Sequence, residues 1–196
     1  SWLIHGHAVP LCEILQPCHV HWAHHNGANT DTSRMTAMKD AETDIPILGL
    51  GLTWEDYSVG QKFKSLARTI TEADIVNFIG VTGMVETLFT DLTFTKGAAQ
   101  AGRVAPAALT YTICEGILCQ TVIQGTGLAL LEVSKKVLAP VVAGDTVHGE
   151  VEVMHIRQTS KGNRAVIKTS HEIKNQRGEV VITYQATRLV SGRDGG

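Results

Sequence analysis

The second half of the chain alternates apolar and polar residues with the period of two that is typical of strands with one buried face. Two short polar turns separate three such segments, and a fourth apolar segment precedes them and ends at Pro140. Each of these segments is long enough to form a strand of a sheet. The segments, with their turns, are residues 128–138, 147–156, 160–163 (turn), 165–174, 175–178 (turn) and 180–186. The pattern predicts four antiparallel strands.

The region before them predicts one strand followed by a short helix. The strand is expected over Lys62–Ile70. Thr71 is typical of a helix N-cap, and Asp74 stands three residues later, which is a capping-box variant with Asp in place of Glu or Gln. The helix should cover Ala73–Ile79 and stop near Gly80–Gly83.

The longest helical segment is Pro106–Ile123, which follows an irregular stretch, residues 84–103, with at most a short helical turn. Proline fits the first helical position, where a missing N–H costs nothing. The segment carries one charge, Glu115, in 18 residues, so the helix should be buried on nearly all sides. One antiparallel sheet can wrap one apolar helix, which predicts an α+β fold of the hotdog type. Its uncovered sheet edges predict a homodimer or a higher homo-oligomer.

Residues 1–48 differ from the remainder, because they hold six of the nine histidines and show no sustained period. Residues 26–44 predict a polar linker. We expect residues 1–48 to be an N-terminal extension, either upstream of the native start or a surface arm. Residues 49–196 should then form a single hotdog domain. The alternative for the histidine and cysteine cluster at residues 18–25 is a zinc or nickel site.

Composition narrows the functional classes. The 196 residues are 43% hydrophobic, with 17 Lys+Arg against 19 Asp+Glu, so neither disorder nor a basic nucleic-acid-binding face is indicated. No apolar window reaches the length of a membrane span. The four cysteines fit neither a disulfide framework nor a paired zinc motif, which favours a reducing cytoplasm. We expect no cofactor and no metal in the site.

The segment VTGMVETLFTDLTFTKGAAQAGRVAPAALTY, residues 81–111, resembles MaoC-like dehydratases. These hotdog proteins hydrate enoyl-CoA with (R) stereochemistry or dehydrate 3-hydroxyacyl thioesters. The resemblance extends over Leu52–Val190, including PVVAGDTVHGEVEV near the end. The family motif Thr/Ser-Gly-Asp-x-Asn-Pro-x-His-x-Asp aligns with TGMVETLFTD, which puts Met84 at the catalytic Asp and Phe89 at the catalytic His.

The resemblance implies a site with two halves. In one half, Ala107 or Ala108 would polarise the thioester carbonyl through its N–H group at the start of the buried helix. The acid/base half is lost at Met84 and Phe89, which do not titrate. Two carboxylates of the same segment, Glu86 and Asp91, are the candidate replacements. Arg103 is a candidate for binding the substrate's phosphates.

Glu115 supports a competing interpretation. Many hotdog thioesterases resemble this chain in carrying an acidic residue about nine positions after the helix start, the position that Glu115 holds relative to Pro106. Its ionised form would be costly in an apolar helix unless a partner such as Arg lies close. The favoured function is a hydro-lyase of the enoyl-CoA hydratase or 3-hydroxyacyl-CoA dehydratase type, acting on an acyl-CoA or acyl-carrier thioester. The alternatives are a thioesterase using Glu115 and a non-catalytic acyl-thioester binder.

Overall fold

The computed structural model describes residues 39–40 and 43–193, with side chains described from Ile47 onward. These residues belong to one compact unit, residues 36–196. Strands β1 (Lys39–Asp40) and β2 (Thr43–Pro46) pair antiparallel, where the sequence predicts the end of a polar linker. The remainder of the predicted extension over residues 1–48, including its histidine cluster, lies outside the described residues.

A six-stranded antiparallel sheet wraps around one helix, so the predicted α+β hotdog architecture is confirmed. The strand order is β3-β6-β7-β8-β5, and β4 also pairs with β6. The strands are β3 (Lys62–Lys64), β4 (Arg68–Thr69), β5 (Gly127–Val137), β6 (Thr146–Gln158), β7 (Arg164–Lys174) and β8 (Val180–Ser191). The helices are α1 (Glu72–Thr82), α2 (Thr87–Thr90) and α3 (Ala107–Cys119).

Helix α1 begins as its capping signal predicts. The Thr71 hydroxyl accepts a hydrogen bond from the Asp74 N–H at 3.2 Å, and the Asp74 carboxylate accepts one from the Thr71 N–H at 2.9 Å. Two orphan donors of the first turn are thereby satisfied. The helix ends at Gly83, whose φ of 70° lies in the left-handed region that glycine adopts without strain.

The single strand expected over Lys62–Ile70 is wrong, because the chain forms two short strands, β3 and β4, along β6. Ser65 lies between them. Its N–H donates to the Gly149 carbonyl, and its hydroxyl accepts from the Gly149 N–H, both at 2.8 Å. The Ser65 hydroxyl thus takes the place of a backbone carbonyl as the acceptor for Gly149. This interrupts the ladder between β3 and β4, while both strands stay paired with β6.

Helix α3 also differs from its predicted bounds. Pro106 precedes the helix as its N-cap, and the helix ends at Cys119, four residues before Ile123. The chain leaves the helix in a turn, because the N–H groups of Thr121 and Ile123 both donate to the Leu118 carbonyl, at 3.1 and 3.2 Å. Beyond this turn, Gly51 and Leu52 of the lead-in segment donate their N–H groups to the carbonyls of Gln124 and Val122. A Cβ at Gly51 would lie 2.6 Å from the Val122 carbonyl oxygen, so only glycine permits this approach.

Burial of α3 is one-sided, contrary to the expectation of burial on nearly all sides. One face is buried in the core against residues of α1, β7 and β8. The opposite face carries Thr112 and Cys119, which are exposed. The buried residues of α3 are Leu109, Thr110, Ile113, Cys114 and Leu118.

Among the described residues, no helix has the length and hydropathy needed to cross a membrane.

Candidate functional site

A cavity of about 330 Å³ lies at the start of α3, between the helix, the ends of β5 and β8, and the loop that precedes the helix. Its wall is almost entirely apolar. Among the described residues, no side chain that lines it titrates. Its lining includes Leu88, Phe89, Ala98, Ala107, Thr110, Val137 and Ile182.

The first turn of α3 carries two free backbone donors, and the residue of the first of them, Ala107, lines this cavity. The Pro106 carbonyl accepts from the N–H groups of Leu109 at 2.9 Å and Thr110 at 3.2 Å. The N–H groups of Ala107 and Ala108 precede these bonds and have no acceptor in the part of the chain that the structure describes. Because the helix dipole adds partial positive charge here, this end of α3 is suited to bind a carbonyl oxygen.

Phe89 is the motif position that reaches the cavity. Its ring lines the wall and packs against the hydrophobic core. Its backbone is held on both sides, because its N–H donates to the Glu86 carbonyl at 2.8 Å and its carbonyl accepts from Arg103 Nη1. Met84, the other motif position, is half-buried and does not line the cavity. The wall at Phe89 is therefore apolar and cannot exchange a proton.

Neither nominated carboxylate of this segment lines the cavity. Glu86 is exposed, and its Oε2 accepts from the Leu88 N–H at 2.8 Å, so it caps α2. Asp91 is exposed too, and its Oδ1 accepts from the hydroxyl and N–H of Thr93 at 2.6 and 2.8 Å. These bonds lower the pKa of Asp91 below its ordinary value. Asp91 lines an adjoining pocket of about 430 Å³, whose wall shares Leu88 with the cavity.

Arg103 connects the loop to α1. Its Nε donates to Glu72 Oε1 at 2.9 Å, while Nη1 contacts the Phe89 carbonyl. The side chain is 16% exposed and also lines the 430 Å³ pocket. These contacts give Arg103 a structural role, because they connect Phe89 to Glu72 of α1. The contact of Arg103 with the substrate's phosphates stays a prediction.

Glu115 is held in a buried ion pair between α3 and β8. Arg188 Nη2 donates to both carboxylate oxygens, at 2.7 and 2.6 Å, and the Tyr184 hydroxyl donates to Oε1 at 2.6 Å. The Arg188 and Glu115 side chains are 9% and 13% exposed. Charge-assisted contacts of this kind are the strong hydrogen bonds of a protein interior. Glu115 does not line the cavity.

His171 extends this cluster into the sheet. Its ring stacks on Tyr184 with centroids 4.1 Å apart, and its Nε2 lies 2.7 Å from the Thr169 hydroxyl. Burial, together with the charge of Arg188, lowers the pKa of His171 to about 3, so the ring is neutral at physiological pH. We name Glu115, Arg188, Tyr184, Thr169 and His171 the buried polar cluster.

Arg188 and Thr110 are among the residues of these sites that were not nominated from the sequence. Arg188 could have been found by extending the strand alternation of Tyr184 and Ala186 by two residues, which puts it on the inward face. Thr110 could have been found as a hydroxyl three positions after Ala107 on an otherwise apolar face. Neither the cavity nor the pairing of Glu115 has a sequence signal of its own.

A sheet wrapped around a single helix, with an apolar cavity at the helix N-terminus, defines a hotdog-fold protein. A family model described as the FAS1-like dehydratase domain region matches residues 57–184, which is more than half of the chain. The chain therefore belongs to this family.

Solved structures agree with this assignment. A monoamine oxidase regulatory protein from Archaeoglobus is 28% identical, with a TM-score of 0.64 over 72% of this chain and 95% of its own. A MaoC-like dehydratase from Rhodospirillum rubrum is 25% identical, with a TM-score of 0.63 over 72% of this chain and 98% of its own. The (R)-hydratase of A. caviae involved in PHA biosynthesis is also 25% identical, with a TM-score of 0.55 over 70% and 98%. The predicted resemblance to MaoC-like dehydratases is confirmed, and no curated protein matches the chain.

Proposed function

We propose that this chain binds an acyl thioester of the class on which dehydratases and (R)-hydratases act. The thioester carbonyl accepts hydrogen bonds from the N–H groups of Ala107 and Ala108, and the acyl chain occupies the 330 Å³ cavity. The observation that carries the proposal is that a helix with unpaired N–H groups at its first two residues begins at an apolar cavity, which Ala107 lines. Specific pockets for small molecules combine an apolar wall with a few polar groups in this way.

The candidate reaction is the reversible hydration of a 2-enoyl thioester to its 3-hydroxyacyl form. That reaction needs a group that accepts and returns a proton. Asp91 is the candidate, because it is the carboxylate whose pocket adjoins the cavity. Its hydrogen bonds to Thr93 lower its pKa, which makes it a weaker base than an ordinary carboxylate. The apolar wall at Phe89 argues for the alternative, in which the chain binds the thioester without converting it.

Thioester cleavage by Glu115 is the less favoured alternative. A nucleophile or base needs a free oxygen within reach of the substrate. Both Glu115 oxygens accept from Arg188, and one also accepts from Tyr184. This arrangement supports a structural role for the residue.

We also propose a homodimer formed through β5, the terminal strand of the sheet in the described chain. Large apolar side chains of β5 are exposed, which is unfavourable for an uncovered strand. Val137 of the same strand lines the cavity, so a partner on this edge would also close the site. The exposed apolar residues of β5 are Leu128, Leu130, Leu131 and Val137. Sedimentation should show a dimer or larger assembly, and a stable monomer at micromolar concentration would contradict this part of the proposal.

Binding is tested by titrating the protein with butyryl-CoA and longer saturated acyl-CoAs in a calorimeter. Ala98 lines the cavity, whereas Ala101 belongs to the same turn, Gly97–Ala101, and does not. Ala98→Trp should therefore weaken binding at least about tenfold by filling the cavity, while Ala101→Trp should leave it unchanged. Equal effects of the two substitutions, or no binding by the wild type, would contradict the proposed site.

Activity is tested with crotonyl-CoA by following enoyl absorbance and free thiol together. Enoyl loss that falls about 10²-fold in Asp91→Asn would support hydration through Asp91. Thiol release that falls in Glu115→Gln would support the thioesterase alternative. Binding without either change would support the non-catalytic alternative.

A further inference from the structure

A second pocket, of about 430 Å³, adjoins the cavity at the start of α3 and shares a wall with it. Leu88 of α2 lines both spaces. Two consecutive residues of one turn divide between them, because Ala98 lines the cavity and Ala99 lines the pocket. A hydrogen bond from Nη1 of Arg103, which lines the pocket, to the carbonyl of Phe89, which lines the cavity, joins the two walls. The two spaces are therefore immediate neighbours.

The two spaces differ in chemistry. The cavity wall is almost entirely apolar, whereas the pocket wall combines polar and apolar side chains. Thr95 and Gln100 supply a hydroxyl and an amide to the pocket, and neither group is engaged by another of the described residues. Leu92 and Phe94 supply apolar surface, and Leu92 is 73% exposed. A ligand that suits this wall combines uncharged polar groups with hydrocarbon.

The ionisable residues of the pocket wall balance each other. They are Asp91 and Arg103, which carry opposite charges. Hydrogen bonds from Thr93 lower the pKa of Asp91, so its carboxylate is ionised at physiological pH. Arg103 is already engaged by Glu72 at 2.9 Å and by the Phe89 carbonyl. A phosphate in this pocket would meet a carboxylate and a cation that is already paired, so the wall favours a neutral ligand.

We infer that this pocket binds the pantetheine arm of the substrate, and that the arm, rather than the nucleotide of coenzyme A, is the part of the carrier that the chain recognises. The inference rests on the proposed function. A thioester with its carbonyl at Ala107 and its acyl chain in the cavity directs its sulfur substituent out of the cavity, and the space across Leu88 is the polar one beside it. The arm is neutral and alternates amide groups with methylene groups, which matches the pocket wall. Because acyl-CoA and acyl-carrier thioesters share this arm, the chain should accept both.

The test compares the dissociation constants of three butyryl thioesters on the full chain, by calorimetry and, for the weakest ligand, by ligand-observed NMR. Butyryl-CoA carries the arm and the nucleotide, butyryl-pantetheine carries the arm alone, and S-ethyl thiobutyrate carries neither. The wild type should bind the first two with dissociation constants within about threefold of each other, and S-ethyl thiobutyrate at least about tenfold more weakly. Free thiol is followed throughout, so that any cleavage of the ligands is seen.

Substitutions on the two sides of the shared wall locate each part of the ligand. Ala99→Trp fills the pocket and should weaken both arm-bearing esters at least about tenfold, while S-ethyl thiobutyrate binding stays unchanged. Ala98→Trp fills the cavity and should weaken all three esters. Ala101→Trp, in the same turn but on neither wall, is the control. Gln100→Met removes the amide at similar length and should weaken the arm-bearing esters about 3- to 10-fold, which gives a second readout if Ala99→Trp lowers the melting temperature.

Three results would overturn the inference and leave the proposed function in place. The first is butyryl-CoA binding that is about tenfold or more tighter than butyryl-pantetheine binding, because the phosphates or the nucleotide would then carry the recognition. The second is equal weakening of S-ethyl thiobutyrate by Ala98→Trp and Ala99→Trp. The third is an Ala99→Trp variant that weakens octanoyl-CoA but not butyryl-pantetheine, which would give the pocket to the acyl tail. Failure of the wild type to bind any ester, or no effect of Ala98→Trp, would overturn the proposed function itself.

Discussion

The two halves of α3 use polar groups in opposite ways. At its N-terminal end, the N–H groups of Ala107 and Ala108 are unpaired in the described chain, and Ala107 lines a cavity. One to two turns further along, Glu115 makes three hydrogen bonds to Arg188 and Tyr184 and has no contact with the cavity. Unpaired polar groups lower stability but are available to bind a ligand, whereas a carboxylate whose oxygens are hydrogen-bonded contributes to stability and is not available.

The charged side chain of α3 and the polar groups that are available to a ligand are therefore different parts of the helix. The single charge of the helix is conspicuous in the sequence, yet it is engaged in holding α3 against β8. The groups suited to bind a ligand are backbone N–H groups, which carry no formal charge. Substitutions in each half test whether the two halves are independent.

Arg188→Met should have the largest effect, because it leaves the Glu115 carboxylate buried without its cation. The expected loss is about 3–5 kcal/mol in the free energy of unfolding, measured by urea denaturation. The double variant Glu115→Leu/Arg188→Met should recover much of that loss, since replacing a buried pair by apolar residues is often neutral. Lys62→Met, which breaks an exposed ion pair with Glu152, is the control and should cost less than about 1 kcal/mol. Equal losses in the single and double variants would contradict the argument.

Introducing the family's acid/base pair, at the positions to which the predicted alignment assigns it, tests the cavity at the N-terminal end of α3. Met84→Asp/Phe89→His should give crotonyl-CoA hydration at least about 10² times faster than the unmodified chain, the usual contribution of a positioned acid or base. The assay is the loss of enoyl absorbance. The single variants are the controls and should each fall well short of the double variant, since the family's motif carries both residues. If the double variant binds butyryl-CoA but hydrates no faster, the alignment of Met84 and Phe89 with the catalytic positions is wrong.

Glu115→Gln distinguishes a structural carboxylate from a catalytic one. Glutamine keeps the shape but leaves the Arg188 charge unpaired, so we expect a loss of about 1–3 kcal/mol and a lower melting temperature. Acyl-CoA affinity and any turnover should stay unchanged, because Glu115 lies outside the cavity. A drop in turnover at constant melting temperature would reverse the contrast between the two halves.

The smallest effect is a pH dependence from His171. Its pKa is about 3 in the folded chain against 6.5 in the unfolded chain, so stability is complete above pH 6.5. As the pH falls from 6.5 towards 3, the unfolded chain binds a proton that the folded chain does not. Stability should therefore fall by at most about 1.4 kcal/mol per pH unit. His171→Phe keeps an aromatic ring against Tyr184 and should flatten the slope of unfolding free energy between pH 6.5 and 5. An unchanged slope would show that other groups carry it.

Local patterns in the sequence predict the scaffold well and the site only in part. The alternation in β6 to β8 and the capping pair of α1 depend on neighbouring residues, and both are confirmed. The chain beyond α3 pairs with a segment about 70 residues earlier, where Gly51 and Leu52 donate to the carbonyls of Gln124 and Val122. No local pattern contains that pairing, and the predicted helix extends four residues beyond the observed end at Cys119.

The site shows the same division. Phe89 and Ala107, which the resemblance assigns to one site, line the same cavity. Glu86 and Asp91 do not line it, because each carboxylate accepts hydrogen bonds from the backbone of its own turn. The pairing of Glu115 with Arg188 joins residues 73 positions apart and follows from the face of β8 on which Arg188 lies.

The strand order has a consequence for how the chain is made. Lys62 of β3 pairs with Glu152 of β6, and 90 residues separate them, so β3 leaves the ribosome long before its partner exists. At about 5–20 residues per second, the wait is roughly 5–18 s. Helix α3 is complete within that interval, and its apolar face lies uncovered until β7 and β8 follow. Such high contact order predicts slow folding and a nascent chain that depends on chaperones to keep α3 from aggregating.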